Sequence, residues 1–539
     1  MTLGHAESPS PNPDEPAFDG HSVGRHSLVV FAAVVFLFIA ARLWRLTASC
    51  LWFDEIFSVH ASRHSWGDLL SFVAADIIHP PIFYMLLKAW IAIGGESLLW
   101  LRLLPALVGI LSFIPFVLLC RELNRTLGET NLALLLMAVN GYLIKYAQEV
   151  RMYSLLFFLS LCSLWLFVRL LKAEATSRKQ LLALSVINLL LVYTHYSGWL
   201  MVVLQTVAVL LWRSGKLKLF LMSVAVLFVG YIPWLYEIAR IAREPSRELA
   251  QNIGWVTRPH LQDVIQYFTL MNKPFLSSQS NVDVTHDPMT IGLSVLLFGL
   301  PILFFLFRLF QPGKEAAQRP GGLLRALLFF ALAPGLLVFF LSWMLPYSIW
   351  GTRHLIVASG PYFLLAALSW TQLRPSWTRI TVVLVFGCWA LLTGTFFLFR
   401  RPPVFIWCAW EQLADQVARQ EANSTDAVRV YAFEDLVAYH VWFSLENSHS
   451  ERFKVVMVKG IPGLVEDPAY FLPRSFSDIE SGDRSALQGR PIWLAFRDTR
   501  WNDTRPPINV FQSMGYRVGT VLSLKAQGQE AFLVQLTRN

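Results

Sequence analysis

Charge is what this chain has least of. Only 15% of its 539 residues are Asp, Glu, Lys or Arg, against about 25% in an ordinary soluble domain, which excludes a chain wetted by water over its whole length. Cysteine is scarce as well. Cys50, Cys120, Cys162, Cys388 and Cys408 show no metal-ligand spacing, so no cysteine metal centre is expected. Cys120, Cys162 and Cys388 fall in or beside apolar runs, Cys50 and Cys408 lie outside them, and a bridge between these two is not expected. Also missing is a basic n-region followed by a cleavage site, so residues 1–27, rich in Pro, Ser and acids, read as a disordered cytoplasmic tail.

What is present is apolar. Hydrophobic residues make up 55% of the chain and its mean hydropathy is +0.48, the composition of a polytopic membrane protein. A net charge of +9 would suggest nucleic acid for a soluble chain. Here the basic residues gather in alternate short loops, around Arg121 and Arg125, Arg169 to Lys179, Arg213 to Lys218, Arg308 to Arg325, and Arg374 and Arg379. That is the positive-inside pattern, and no nucleic-acid partner is expected. The 14% aromatic content suits membrane interfaces and sugar-stacking surfaces equally.

Apolar runs near 28–46, 99–120, 131–147, 153–171, 181–195, 197–212, 217–236, 290–309, 323–345, 354–373 and 378–399 predict about eleven transmembrane helices, each needing about 20 residues. The stretch 181–212 is divided by a break at Tyr193 to Gly198. With the N-terminus inside, an odd count puts the C-terminus outside, leaving outward segments at about 47–98, about 237–289 and the tail from about 400. Pro259 to Phe275 has the apolar spacing of a helix lying on the membrane surface or covering a cavity. The tail 401–539 turns to ordinary soluble composition. Helices at 411–420 and 434–443 and strands at 428–433, 453–458, 491–496, 517–524 and 531–536 predict a small α/β domain. It has no Gly-rich phosphate loop, metal motif or nucleophile elbow, and reads as a lid or acceptor-docking domain.

Asp54 and Glu55 stand at the exit of the first apolar run. Ionisable groups at a membrane are costly and mark function. Each is compatible with a general base, a metal ligand or a salt bridge to Arg63, and if the segment is helical the two point about 100° apart and cannot share a role. The same loop carries Asp76 and His79, the latter held extended before Pro80 and Pro81. Lys88 and Arg102 follow, each able to snorkel or to grip a lipid phosphate. Gln148, Glu149, Arg151 and Tyr153 form a dense polar group at an outward turn, where Arg151 is a natural bidentate phosphate ligand. His195 and Tyr196 sit in the helix break, and Arg353 and His354 open the tenth run. Acids from one loop and cations from several helices on one side of a membrane suit displacement at a carbon bonded to phosphate. A carboxylate takes the incoming hydroxyl's proton, and Arg or a metal steadies the leaving phosphate.

The segments LWFDEIFSVH, HPPIFYMLLKAW, LRLLPALVG, QEVRMYSLL, YTHYSGWL and TRHL resemble the bacterial polytopic glycosyltransferases of the protein O-mannosyltransferase and aminoarabinose transferase type. The likeness runs through residues 28–400 by order and spacing. It implies a GT-C fold in the cytoplasmic (inner) membrane, a polyprenyl-phosphate sugar donor, and an acceptor (protein, lipid or glycan) outside the cytoplasm. It also implies Asp54 as the catalytic base with Glu55 beside it, and Arg151 and Arg353 as donor-phosphate ligands. His354 departs from the aromatic Tyr of many relatives. No metal is assigned, although a divalent cation stays open because GT-C enzymes differ in metal use. The competing class is a multi-pass transporter or lipid flippase, for which repeated halves with matched broken helices would be expected, and none are found.

Overall fold

A computed structural model gives the fold and describes residues 25–174, 177–243, 256–276, 287–310, 321–401, 404–422, 427–449, 452–465, 467, 470–473, 476–483, 487 and 492–538. Most of the predicted N-terminal tail and the basic stretch around Lys314 and Arg319 lie outside these residues.

All eleven apolar runs are helical where described. Among the described residues, eight helices are long and apolar enough to cross a membrane: Arg25–Leu43, Leu98–Glu122, Tyr153–Lys172, Leu217–Ile241, Pro288–Leu309, Leu324–Met344, Thr352–Thr371 and Ser376–Phe399. The remaining runs form shorter helices. In chain order the first elements are α1 (Arg25–Leu43), α2 (Phe53–Arg63), α3 (Trp66–Asp76), α4 (Ile82–Gly94), α5 (Leu98–Leu111), α6 (Phe113–Glu122), α7 (Leu127–Val139), α8 (Gly141–Ala147), α9 (Tyr153–Lys172), α10 (Arg178–Thr194) and α11 (Ser197–Trp212).

The run 131–147 is not one span as expected. Asn140 breaks it, because its side chain accepts from the Leu143 N–H at 2.9 Å and so caps α8, while its amide donates to the carbonyls of Leu270 and Met271. Gly141 is required beside it, since a Cβ there would lie 2.4 Å from the Leu276 nitrogen. The break expected within Tyr193 to Gly198 occurs, at His195 and Tyr196.

Burial sorts the long helices into centre and rim. An 18-residue window is 89% buried in Thr352–Thr371 and 78% in α9, but 17% in Ser376–Phe399. An apolar helix left this exposed is solvated by lipid rather than water.

Beyond residue 400 the chain builds one six-stranded sheet in the order β3-β2-β1-β4-β6-β5. Its strands are β1 (Val428–Ala432), β2 (Phe453–Val458), β3 (Glu480–Gly482), β4 (Ile492–Asp498), β5 (Tyr516–Lys525) and β6 (Glu530–Arg538). Strands β1 to β4 pair in parallel, and β6 and β5 are antiparallel additions. The helices Ile406–Gln420 and Asp435–His449 stand where helices at 411–420 and 434–443 are expected, the first starting five residues earlier and the second ending six residues later. Strand β3 and the helix Ile508–Ser513 are too short to show periodicity, and sequence reading missed them.

A second expectation is overturned. Cys50 and Cys408 form a disulfide across 358 residues, their Cα atoms 5.4 Å apart, because folding lays the helix Ile406–Gln420 beside the first loop. A second seam joins the same parts. Helix α2 packs on Asp435–His449, with His60 Nδ1 3.0 Å from the Tyr439 hydroxyl and the Phe53 and Tyr439 rings 5.2 Å apart. Arg63, the sequence-level partner for the acids, instead pairs with Glu96 at 2.7 Å and Glu446 at 3.2 Å.

Candidate active site

The first loop becomes helical at Phe53, three residues past Cys50, and this separates the two acids. Asp54 and Glu55 are consecutive on α2 and point apart. Glu55 faces inward, 1% exposed. Its Oε1 accepts the Val150 N–H at 2.8 Å, and its Oε2 accepts the Trp52 N–H and Arg102 Nη2, both at 3.1 Å. The Nη1 and Nη2 groups of Arg102 also donate to the loop that precedes α2, reaching the carbonyls of Leu46 (2.8 Å), Ser49 (2.9 Å) and Cys50 (2.7 Å). A buried guanidinium with four such acceptors is a brace for the loop.

Asp54 faces the other way and its side chain keeps 24% exposure. Arg353 Nη1 donates to Asp54 Oδ2 at 3.2 Å, and Arg151 Nη2 lies 3.9 Å from the same oxygen. Arg151 is otherwise buried. Its Nη1 donates to the Asp54 carbonyl (3.0 Å), Ser58 Oγ (3.3 Å) and the Tyr84 hydroxyl (3.4 Å), and its Nη2 donates to His79 Nδ1 (3.3 Å). Arg353 differs: its side chain is 27% exposed, its guanidinium lies about 6 Å over the Trp52 and Tyr153 rings, and among the described residues Asp54 is its only hydrogen-bond acceptor. Asp54 and Arg353 are therefore a reachable carboxylate and a reachable cation in contact.

His79 is brought in by strain. Ile77 ends α3 in the left-handed region at φ 63°, costly for a β-branched residue, and its carbonyl is held by the Tyr196 hydroxyl at 2.9 Å. The chain then turns His79 toward Arg151. Burial pushes the His79 imidazole well below its usual range, with the Arg151 charge adding to the fall, so it accepts from Arg151 as a neutral ring. The rings of His79, His195 and His354 follow one another at 5.2 Å and 4.7 Å, and Tyr153 borders the group at 6.2 Å from His195.

No family model matches the sequence, and no curated protein matches it. Solved structures do match. ArnT from Cupriavidus metallidurans in the apo state aligns over 95% of this chain and 98% of its own, with a TM-score of 0.60 at 14% identity. The same protein bound to undecaprenyl phosphate aligns over the same shares, with a TM-score of 0.58 at 13% identity. The chain has a GT-C fold.

Within this GT-C fold the residues singled out from sequence fall into two groups. Asp54, His79, Arg151, Tyr153, His195, Arg353 and His354 converge. Glu55, Lys88, Arg102, Gln148 and Tyr196 support them. Lys88 Nζ reaches the carbonyls of Ser62 and His64 at the end of α2, and Gln148 Nε2 donates to the carbonyls of Arg42 and Trp44 at the end of α1. Sequence reading missed Ser58 and Tyr84, which orient Arg151. Ser58 had a signal, four residues after Asp54 on one helical face; Tyr84 had none beyond its amphipathic stretch.

Glu149 is buried and its Oε2 has no hydrogen-bond partner among the described residues. Burial pushes its carboxyl up to about 7, the Lys145 ammonium opposing and the Glu55 carboxylate adding to the rise. A carboxyl raised in the folded state stabilises that state fully below its unfolded pKa, and the contribution is lost as pH climbs through 7. The Tm of the wild type should therefore fall relative to Glu149→Gln between about pH 5 and about pH 8. Parallel Tm curves would mean that the carboxyl titrates normally.

Proposed function

We propose that the protein is a membrane glycosyltransferase that moves a sugar from a polyprenyl-phosphate donor to an acceptor outside the cytoplasmic membrane. The observation that carries this reading is the contact of the reachable Asp54 carboxylate with the reachable Arg353 guanidinium, on a GT-C fold shared with a protein whose structure holds undecaprenyl phosphate. Asp54 takes the proton of the acceptor hydroxyl. The oxygen bonds to the anomeric carbon from the face opposite the phosphate, inverting it, while the carbon–oxygen bond to phosphate breaks and its electron pair leaves on the phosphate. Arg353 turns from Asp54 to that phosphate as charge develops on it. Arg151, fixed by four acceptors, positions the backbone and carboxylate of Asp54. A cation chelated by both acids would have to displace Arg102 and the Val150 N–H from Glu55, so this reading places the leaving-group charge on Arg353. Positive-inside loops put the N-terminus in the cytoplasm and the catalytic loop with the C-terminal sheet outside.

The test is the purified protein in lipid with radiolabelled polyprenyl-phosphate mannose, glucose, aminoarabinose and pentose. Transfer or slow hydrolysis of one donor is expected, and movement of the intact lipid between leaflets without cleavage would favour a transporter instead. Arg353→Ala should weaken donor binding about 10- to 100-fold, the loss of one charge-assisted contact to phosphate, measured by titration with the accepted donor. Unaltered affinity would remove Arg353 from the phosphate.

A further inference from the structure

The parallel part of the C-terminal sheet reverses its winding between β1 and β4. From β1 the chain passes through Asp435–His449 to β2 on one side, while β4 lies on the other. Open parallel sheets bind ligands outside the carboxyl ends of the strands at such a reversal. Glu434 lies two residues past β1, and Arg497 is the penultimate residue of β4. Arg497 Nε donates to Glu434 Oε2 at 2.8 Å, its Nη2 to Asp467 Oδ2 at 2.5 Å, and its Nη1 to Gln529 Oε1 at 3.4 Å. Two carboxylates thus meet one guanidinium, and Asp467 keeps 27% of its side chain exposed.

This end of the sheet meets the first loop of the membrane part. The Tyr470 ring packs edge-on against Phe53, their centroids 5.2 Å apart, and Phe53 is the residue before Asp54. Burial raises the Tyr470 phenol, Asp54 and Asp467 add to the rise, and Arg497 and Arg353 oppose it. Tyr470 is thus within electrostatic reach of both centres. His440 lies on the same side, 2% exposed, its ring 6.3 Å from Phe53 and its Nε2 without a hydrogen-bond partner among the described residues.

We propose that Glu434, Asp467 and Arg497, with Tyr470 as the bridge to Asp54, form an acceptor subsite that binds the hydroxyl groups of a saccharide. The inference rests on the glycosyltransferase reading and adds the acceptor's class. Neutral hydroxyls donate to the two carboxylates and accept from the guanidinium, and the Tyr470 ring offers a sugar an apolar face. A free hydroxyl of the bound saccharide then reaches Asp54, gives it a proton and bonds to the anomeric carbon of the donor sugar.

The experiment uses the full-length protein in lipid with its accepted donor and a set of octyl glycosides as acceptor probes, following both glycoside product and donor hydrolysis. Glu434→Gln and Arg497→Ala should raise the KM for the preferred octyl glycoside about 10-fold or more, well beyond any change in hydrolysis. Tyr470→Leu should lower the ratio of transfer to hydrolysis. Thermal melts identify a variant that has lost its fold, and Glu434→Gln, nearly isosteric, keeps the test open if Arg497→Ala fails. Equal KM values in wild type and folded variants overturn the subsite. So does a wild type that hydrolyses donor in an Asp54-dependent way yet transfers to no octyl glycoside. A wild type that neither hydrolyses nor transfers any donor instead overturns the glycosyltransferase reading itself.

Discussion

Asp54→Asn should lower sugar transfer about 10²- to 10⁴-fold, the usual loss when a positioned general base is removed. The amide keeps the shape of the carboxylate and can still accept from Arg353 Nη1, so the variant should fold and bind donor. What it loses is the ability to take a proton. Donor affinity should stay within a few-fold of wild type, with the defect in kcat. The discriminating comparison is with Glu55→Gln, whose neighbour in sequence is the same but whose side chain is buried beneath Val150 and Arg102. If Glu55→Gln folds normally and falls as far in kcat as Asp54→Asn, the two acids share the chemistry and the division proposed here fails.

Arg102→Ala should be the most damaging single change to stability. The side chain is 2% exposed and joins Glu55 to the carbonyls of Leu46, Ser49 and Cys50. Its removal leaves a buried carboxylate without its cation and three loop carbonyls short of a donor. Breaking a buried pair in this way costs about 3–5 kcal/mol, a large share of the roughly 5–15 kcal/mol of a typical fold. Low yield, a sharp fall in Tm and lost activity are expected together. The opposing outcome is also clear: unchanged Tm with donor affinity reduced would make Arg102 a phosphate ligand, one of the two roles its sequence position allows. Glu55→Gln should destabilise by less, since its amide oxygen still accepts on one side, although its NH2 meets a donor where the second carboxylate oxygen accepted.

The elements were largely legible in the chain. Runs of apolar residues can be counted against the thickness of a bilayer, and the central strands of the tail are short apolar runs, as a sheet covered on both faces requires. Failures came where one side chain overruled the average. Asn140 breaks an otherwise apolar run by capping α8, and β3 is three residues long. The site was legible as a set of residue types. Charge near a membrane is costly wherever it is placed, so Asp54, Arg151 and Arg353 stood out without any knowledge of their neighbours. Their division of labour was not legible. Asp54 meets Arg353 across 299 positions, and no local spacing encodes that contact.

By itself the sequence determined that the chain is a multi-pass helical membrane protein with a sheet-bearing tail, and which charged residues demand an explanation. These follow from local quantities: hydropathy, periodicity and the cost of burying charge. Only the tertiary structure decided that Glu55 and Arg102 brace the loop while Asp54 and Arg353 remain reachable, that Cys50 joins Cys408, and that the end of the C-terminal sheet meets the first loop of the membrane part through Tyr470. Burial and hydrogen-bond partnership are properties of the space around a side chain, and that space is built by helices hundreds of residues away.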